Sequence, residues 1–229
     1  MTKPDSTSKV FLRGQYKDGT MIPSLFREDI TKELFKSRYS AYKELITSIQ
    51  NDFKKQRFKK DSVGPLLQNY GIKTPWLDLV ANLYTAIWFA THNPKNEKTK
   101  PKFGWIYFIR TKLDNGAELK YYDLKEEQSS LSLRLHVQHG LSATRKDPAW
   151  NFNNRCLNDF VVATVKFRNN DKWKLEGPLF EKKYMFPSEL YDSTYRYLKG
   201  NKKFINIIND ITNKYDLSDG ELGRIYEYI

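Results

Sequence analysis

The sequence predicts an α+β fold in which helices flank a mixed central sheet. Some segments repeat apolar residues at the three- and four-residue spacing of helices, and others show the alternation or short apolar runs of strands. These segments do not alternate regularly, as the units of a doubly wound sheet would. The 229 residues are 39% apolar and 15% aromatic, which suffices for one sizeable core. We therefore predict a flexible polar tail over residues 1–9 and a single domain over 10–229, helical from about residue 187.

The first elements follow from a change in the apolar period. Residues 10–16 have the composition of a short strand, and a proline holds residues 21–26 in an extended conformation. Helical spacing over residues 27–60 predicts a long amphipathic helix that ends in a basic run, where cations complement the helix dipole. A short helix is predicted over residues 62–69, and Gly71 ends it.

A buried helix and a central strand are predicted next. Residues 77–79 indicate a brief strand, and Asn82 is a favoured residue type for the N-cap of a following helix. That helix, over residues 83–90, is apolar on nearly all sides, which is typical of a buried helix. Residues 103–109 form a nearly continuous apolar run, as in a central strand.

The remaining elements are shorter and come from period and composition. They are a weak strand at 119–122, a short helix at 126–133, strands at 135–141 and 160–167, a helix from Pro187 to Leu198, and a helix at 204–215. Proline is placed at the start of its helix because its fixed backbone angle suits the first turn.

Charge indicates a polyanionic partner. The chain has 39 basic and 27 acidic residues, a net charge of +12. Such an excess attracts nucleic acid, RNA or DNA, although a lysine-rich solvated surface without a binding function has the same composition. Aromatic residues next to basic ones recur at 38–39, 57–59, 172–174 and 196–197. An exposed Phe58 or Trp173 would favour nucleic acid, because exposed rings stack on bases.

Several classes of protein are disfavoured. No stretch reaches the roughly 20 apolar residues of a spanning helix, and no signal-like apolar region begins the chain, so we expect a cytoplasmic protein without membrane contact. The single Cys156 cannot form an internal disulfide. No metal is expected, since zinc motifs are absent and His136 and His139 are predicted on opposite faces of a strand. Walker, dinucleotide-binding and Gly-x-Ser-x-Gly motifs are also absent.

Four ordered motifs carry a family resemblance. An arginine and a glycine at the end of an apolar strand suit a phosphate-bearing ligand, because guanidinium offers a planar fork of donors. The motifs are Phe11–Gln15, Leu67–Thr74 with Leu77–Asp78, Ala86–Ala90 and Gln138–Gly140. Together, over about residues 11–141, they resemble the bacterial FRG-domain family, named for its Phe/Tyr-Arg-Gly start. The chain departs from that pattern at Leu12, which is inserted, at Asn69, where histidine is frequent, and at Leu79–Val80, which replaces Trp-Thr.

The layout of this family is similar to that of the ADP-ribosyltransferases, which implies a cleft for NAD as substrate. By that likeness Arg13 would hold the pyrophosphate or the adenosine ribose, Thr74 and Asp78 would lie beside the nicotinamide ribose, and Gln138 would occupy the position of the catalytic glutamate. The same likeness makes four further residues NAD contacts: Gly14, Gln15, Tyr70 and Phe89.

The reaction requires a negative charge at the glutamate position. Breaking the nicotinamide bond builds positive charge on the ribose, and a carboxylate stabilises that charge where an amide only donates or accepts a hydrogen bond. We nominate Asp78 as the second catalytic residue beside Gln138, with Glu118, Glu126 and Glu127 as reserves. Two structural alternatives stay open: a buried Arg13–Asp78 ion pair, and a Gln138 that merely satisfies backbone groups.

The resemblance therefore implies an NAD-dependent ADP-ribosyltransferase, a toxin-like effector that modifies RNA or DNA in bacterial or phage conflict. A non-catalytic module that binds a nucleotide or nucleic acid is the alternative, and a glycohydrolase that only releases nicotinamide is a third. Phage-defence and toxin–antitoxin systems of this kind imply a neutralising antitoxin or chaperone, which could recognise an exposed segment at 221–229. Such an apolar segment is also typical of one that packs on its own core.

Overall fold

The strands and helices come from a computed structural model. It describes residues 8–27, 30–55, 58–93, 100–127, 132–146, 150–169, 181–218 and 220–225. The strands are β1 (Val10–Gln15), β2 (Leu77–Val80), β3 (Phe103–Arg110), β4 (Leu119–Asp123), β5 (Gly140–Arg145) and β6 (Val161–Arg168). The helices are α1 (Lys32–Lys55), α2 (Val63–Asn69), α3 (Leu83–Thr91), α4 (Leu124–Glu127), α5 (Leu133–Val137), α6 (Lys182–Met185), α7 (Ser193–Gly200) and α8 (Lys202–Lys214).

Over those ranges the fold is α+β, as predicted, with a six-stranded sheet in the order β4-β5-β2-β1-β3-β6. Every neighbouring pair is antiparallel, so the expectation of a mixed sheet is wrong. The reason is the place of β1. Helix α3 connects β2 to β3, which run in the same direction, but β1 lies between them and runs opposite to both.

The two faces of the sheet are buried by different elements. Phe11 and Leu79 belong to a large cluster of buried side chains to which α1, α2 and α8 also contribute. The residues that follow them in sequence, Leu12 and Val80, pack instead with Ala86 and other residues of α3. Alternating side chains of one strand point to opposite faces, so the sheet is covered on both sides at its centre.

Most of the predicted helices and strands are confirmed. Strands β1, β2, β3, β4 and β6 and helices α1, α2, α3 and α8 occur where the apolar period places them, within a few residues. Asn82 caps α3 as expected, because its Oδ1 accepts hydrogen bonds from the backbone N–H groups of Tyr84 and Thr85. The first turn of α3 is not buried, however: Leu83 and Tyr84 are 49% and 60% exposed.

Three predictions of secondary structure are wrong in part. Residues 135–141 do not form one strand, because α5 and the start of β5 meet there at a turn in which His139 has a φ of 48°. The helix expected from Pro187 begins at Ser193, where the carboxylate of Asp192 caps it by accepting from the N–H of Tyr195. Residues 24–26 form a 3₁₀ turn in the segment expected to be extended.

The ends of the described chain are tied to the core. Of the tail expected at 1–9, the structure describes Ser8 and Lys9, and the backbone of Lys9 pairs with Thr111. Near the other end Leu222 is buried, and its carbonyl accepts from the N–H of Lys73. The described part of the segment proposed for an antitoxin therefore packs on the domain, while residues 226–229 lie outside the described ranges.

Candidate functional site

A cleft opens where β1 and β2 separate. The two strands pair only at Leu12 and Val80, and beyond that point they diverge. The space between them has a volume of about 480 Å³, which lies in the usual range for ligand sites. The lining residues that matter for chemistry are Arg13, Gly14, Gln15, Lys17, Asp18, Arg27, Gln68, Asp78, Phe89, Gln138 and Phe186.

Arg13 spans the gap between the two strands. Its Nη1 donates to the backbone carbonyl oxygen of Asp78, where a strand partner would otherwise lie. Its Nε is buried and has no partner among the described residues. Burial and, to a smaller extent, the nearby charge of Arg27 lower the pKa of Arg13, and Asp78 partly offsets both effects, so that the pKa is about 10. At neutral pH Arg13 is still a cation, so the cleft holds two neighbouring positive charges that would favour an anion.

Asp78 presents a carboxylate with unused hydrogen-bonding capacity. Its Oδ2 accepts from Nε2 of Gln68 at 3.2 Å, whereas its Oδ1 is buried without a partner in the described structure. Burial raises the pKa of the Asp78 carboxyl, and Arg13 and the bond from Gln68 oppose that rise. Because Arg13 bonds to the carbonyl and not to the carboxylate, the two do not form the paired ion bridge considered above.

Gln68 is a site residue that the motifs did not single out. Its Oε1 accepts from the hydroxyls of Ser24 and Thr74, both at 2.7 Å. Those two donors fix the orientation of the amide, so that its Nε2 points to Asp78. A polar residue on the buried side of a short helix inside the second motif was the available signal.

Thr74 and Tyr70 are not brought to the cleft. Thr74 is fully buried; its hydroxyl donates to Gln68 and accepts from the backbone N–H of Trp76. Tyr70 is also fully buried, and its hydroxyl donates to the carboxylate of Asp192. Neither side chain lines the cleft: Thr74 orients the amide of Gln68, and Tyr70 bonds to Asp192 within the core.

Gln138 lines the cleft from the turn after α5. Its side-chain Nε2 donates to the backbone carbonyl of Met185 at 2.7 Å, and the residue is 6% exposed. The side-chain amide of Gln138 thus satisfies a backbone carbonyl group, which is the structural role considered above as an alternative to catalysis. Its Oε1 makes no hydrogen bond within the described residues and is the part available to a ligand.

Gly14, Gln15 and Phe89, which the resemblance makes NAD contacts, line the cleft. The need for glycine at position 14 has a cause other than the ligand. A Cβ there would lie 1.8 Å from the backbone oxygen of Ala86, so α3 can cross β1 only over a residue without a side chain. Phe89 and Phe186 stand 6.2 Å apart, edge to face, and provide an apolar wall.

Among the described residues, the carboxylates that line the cleft are Asp78 and Asp18. Asp18 was not anticipated; it is exposed and its Oδ1 accepts from the hydroxyl of Tyr107 at 2.7 Å. Of the reserves, Glu118 pairs with Lys146 in a second, open depression, and Glu126 is exposed away from the cleft. The side chain of Glu127 lies outside what the structure describes.

Other sequence-based expectations concern metals, histidines and aromatic residues. Within the described ranges no three His, Cys, Asp or Glu side chains lie close enough together to hold a metal ion, and no helix has the length and hydropathy to cross a membrane. His136 lies in α5 and His139 in the following turn, so the expected opposite faces of one strand do not exist. Phe58 is half-buried against Phe53 and Tyr197, and Trp173 lies outside the described residues.

The model of the FRG domain matches residues 8–99, the stretch that contains β1, α1, α2, β2 and α3. Comparison with curated proteins and with solved structures gives no match.

Proposed function

Residues 8–99 belong to the FRG domain family, and from the cleft that this stretch lines together with Gln138 and Phe186 we propose that the protein is an NAD-dependent ADP-ribosyltransferase acting on RNA or DNA. The observation that carries the proposal is the meeting of Arg13 and Asp78 in one cleft, where Nε of the arginine and Oδ1 of the carboxylate are buried and have no hydrogen-bond partner among the described residues. The likeness of the fold to ADP-ribosyltransferases is part of the proposal. Its support is the Arg-Gly pair on β1, the passage from β2 into α3, and Gln138 just before β5.

The cationic end of the cleft suits the pyrophosphate of NAD. Arg13 and Arg27 are close enough to lower the pKa of Arg13, and Lys17 is exposed on the same rim. Two negative phosphate groups would neutralise this repulsion and supply the acceptor that Nε of Arg13 lacks. The apolar wall of Phe89 and Phe186 offers a surface to the nicotinamide ring.

Asp78 supplies the charge that Gln138 cannot. In the reaction the bond between C1 of the ribose and the nicotinamide nitrogen breaks, and nicotinamide leaves with the electron pair. Positive charge then develops on the ribose, and the ionised Asp78 carboxylate stabilises it. The acceptor forms the new bond to C1 and releases a proton to a carboxylate of the cleft, Asp78 or Asp18.

Gln138 would position the ribose without taking part in proton transfer. The bond to the Met185 carbonyl fixes the amide, and the free Oε1 can accept from a ribose hydroxyl. The alternative function is a non-catalytic module that binds a nucleotide or nucleic acid, called here the silent module. Gln138 also supports this alternative, because a glutamine cannot carry the negative charge of the catalytic glutamate that ADP-ribosyltransferases have at this position.

Labelled NAD offered to the purified protein with RNA, DNA and protein pools tests the proposal. We expect label on nucleic acid with the wild type, and none with Arg13→Ala or Asp78→Asn. Asp114→Asn removes a carboxylate that is 88% exposed on a distant turn and is the matched control. NAD binding without loss of nicotinamide would support the silent module, and nicotinamide release without labelled polymer would support a glycohydrolase.

The biological setting is proposed from the family likeness. A cytoplasmic toxin-like effector in bacterial or phage conflict would stop growth when expressed alone and would need a neutralising antitoxin or chaperone. Since Leu222 and Gly223 pack against residues 71–73, such a partner would bind elsewhere than on this part of the chain. Growth with wild type and with Asp78→Asn separates toxicity caused by the reaction from toxicity of the folded protein.

A further inference from the structure

A second surface lies at the β3–β6 end of the sheet. In an antiparallel pair, residues directly opposite each other share a face. Phe103 is opposite Arg168, and Trp105 is opposite Lys166. These four side chains therefore stand on one face, with Lys102 at its end, and we call this set the aromatic-basic face.

The rings and the cations of this face are in contact. Nζ of Lys166 lies 4.7 Å from the ring centre of Phe103 and 5.5 Å from that of Trp105. Nζ of Lys102 lies 5.8 Å from Phe103, and the two rings are 6.2 Å apart at 62°. Both rings are half-buried, whereas Lys102, Lys166 and Arg168 are exposed.

No acidic side chain neutralises these cations in the part of the chain that the structure describes. Lys102, Lys166 and Arg168 form no ion pair there, unlike Lys203 and Lys214, which pair with carboxylates of α1. Within the described ranges, the positive charges of this face are therefore uncompensated beside two aromatic rings. Aromatic rings with neighbouring cations are the elements that hold an unpaired polynucleotide, since bases stack on the rings and phosphates bind the cations.

This face continues into the cleft. Trp105 on β3 is opposite Gln15 on β1, and Gln15 lines the cleft. The next pair along the same face is Tyr107 and Arg13, and the hydroxyl of Tyr107 donates to Asp18. A strand lying across the aromatic-basic face would therefore reach the carboxylates of the cleft.

We propose that the aromatic-basic face binds a single-stranded nucleic acid and delivers it to the cleft as acceptor. The delivery rests on the proposed function, whereas the binding does not require NAD. Rings and cations recognise bases and phosphates but not the sugar, so RNA and DNA of the same sequence bind with similar affinity. Duplex binds more weakly, because its bases are not free to stack.

Binding of fluorescent oligo-uridine, oligo-thymidine and a duplex of equal length, without NAD, tests this proposal. Trp105→Leu keeps an apolar side chain against the core and should weaken single-strand binding about tenfold, the usual loss for one stacked base. Lys166→Glu is a change of an exposed residue and should weaken binding and lower the salt dependence, whose slope falls by about 0.7 for each phosphate that the protein ceases to neutralise.

Two controls separate the face from general charge. Lys36→Glu makes the same charge change at an exposed position of α1, and Tyr191→Leu removes an aromatic ring that is 73% exposed. Both should bind like the wild type. Equal losses for Lys36→Glu and Lys166→Glu, tighter binding of duplex, or no binding of any oligonucleotide would overturn the proposal. Intact binding with no labelling from NAD would leave this face in place and count against the proposed reaction.

Discussion

Nη1 of Arg13 donates to the carbonyl oxygen of Asp78 across the gap between β1 and β2. A side chain here takes the place of a missing backbone pair, so the two strands stay at a fixed separation while the space between them is open to a ligand. The same bond brings a cation and a carboxyl group to one cleft. Their positions are therefore coupled, and changes at either residue should be visible in binding, stability and reaction.

Arg13→Ala should abolish the thermal stabilisation that a pyrophosphate compound gives to the wild type. A ligand at 100 times its dissociation constant stabilises a protein by about 2.7 kcal/mol, and we expect a rise in melting temperature with ADP-ribose and with inorganic pyrophosphate. Differential scanning fluorimetry measures this. Arg110→Ala, on the same sheet but paired with Asp114, should keep the full rise. If these ligands raise the melting temperature of Arg13→Ala as much as that of the wild type, the anion binds at a site that does not include Arg13.

Asp78→Asn should stabilise the protein near neutral pH while it removes activity. Since the pKa of this carboxyl is raised in the fold, the folded chain holds its proton more tightly than the unfolded chain. Its contribution is thus complete below the unfolded value of about 3.9 and is lost as pH rises through the raised value. Melting temperatures from pH 4 to 8 should show a gain over wild type that grows with pH. Asp114→Asn should show no such trend.

Gln68→Ala should move the acidic limb of the activity profile to higher pH. The bond from Nε2 of Gln68 lowers the pKa of Asp78, so its loss raises that pKa further. A purely structural defect would lower the rate equally at every pH. The variant should also lose about 1–3 kcal/mol of stability, because the hydroxyls of Ser24 and Thr74 lose their acceptor. Gln50→Ala on α1 outside the cleft is the control.

Gly14→Ala should destabilise the fold by about 3 kcal/mol or more, measured by urea unfolding. The added methyl group would meet the backbone oxygen of Ala86, which cannot move without displacing α3. Gly200→Ala is the matched change at the end of α7, where nothing lies within 4 Å, and it should stabilise by up to about 1 kcal/mol. A loss of stability well below about 3 kcal/mol with Gly14→Ala would mean that α3 can shift to accommodate the methyl group. Close packing against α3 would then not explain the glycine at this position.

Tyr70→Phe should cost about 1–3 kcal/mol in stability and leave the affinity for ADP-ribose unchanged. The lost hydroxyl donates to the buried Asp192, which caps α7 and also accepts from the backbone N–H of Arg134. Urea unfolding and the thermal shift with ligand measure the two effects separately. Tyr191→Phe, at an exposed position, should change neither. A weaker affinity for ADP-ribose would return Tyr70 to the ligand site.

The sequence was most informative where local chemistry decides structure. The capping side chain of Asn82 and the apolar run at 103–109 depend on neighbouring residues, and both predictions are confirmed. The boundary between α5 and β5 depends on a left-handed residue, His139, after a five-residue helix that is too short to display a period. Likewise the sheet is antiparallel because β1 lies between β2 and β3. No local sequence pattern shows which strand takes that place.

The candidate site was predicted to a similar extent and for a similar reason. Arg13, Asp78 and Gln138 come from motifs, and the fold brings all three to one cleft. Asp18 and Gln68 make their hydrogen bonds at the cleft with residues 40 or more positions away along the chain, Tyr107 and Ser24. No short motif contains Asp18, and the motif that contains Gln68 does not show which residues it contacts. Thr74 and Tyr70 lie in the motif but face the core. The backbone conformation of a loop determines which of its side chains reach solvent, and residue spacing in the sequence does not reveal that conformation.

The order of the strands also limits what the family stretch can do by itself. Residues 8–99 contribute β1 and β2, the two middle strands, whereas both flanking pairs come from after residue 99. A polypeptide cut to the matched stretch would keep the arginine, the carboxylate and the glycine, yet both sides of its two-stranded ribbon would be unpaired and open to other chains. The motif stretch is therefore recognisable in sequence but is not a unit of folding. Fragments intended for biochemistry should include β6 and also the later helices and Leu222, whose side chains complete the core.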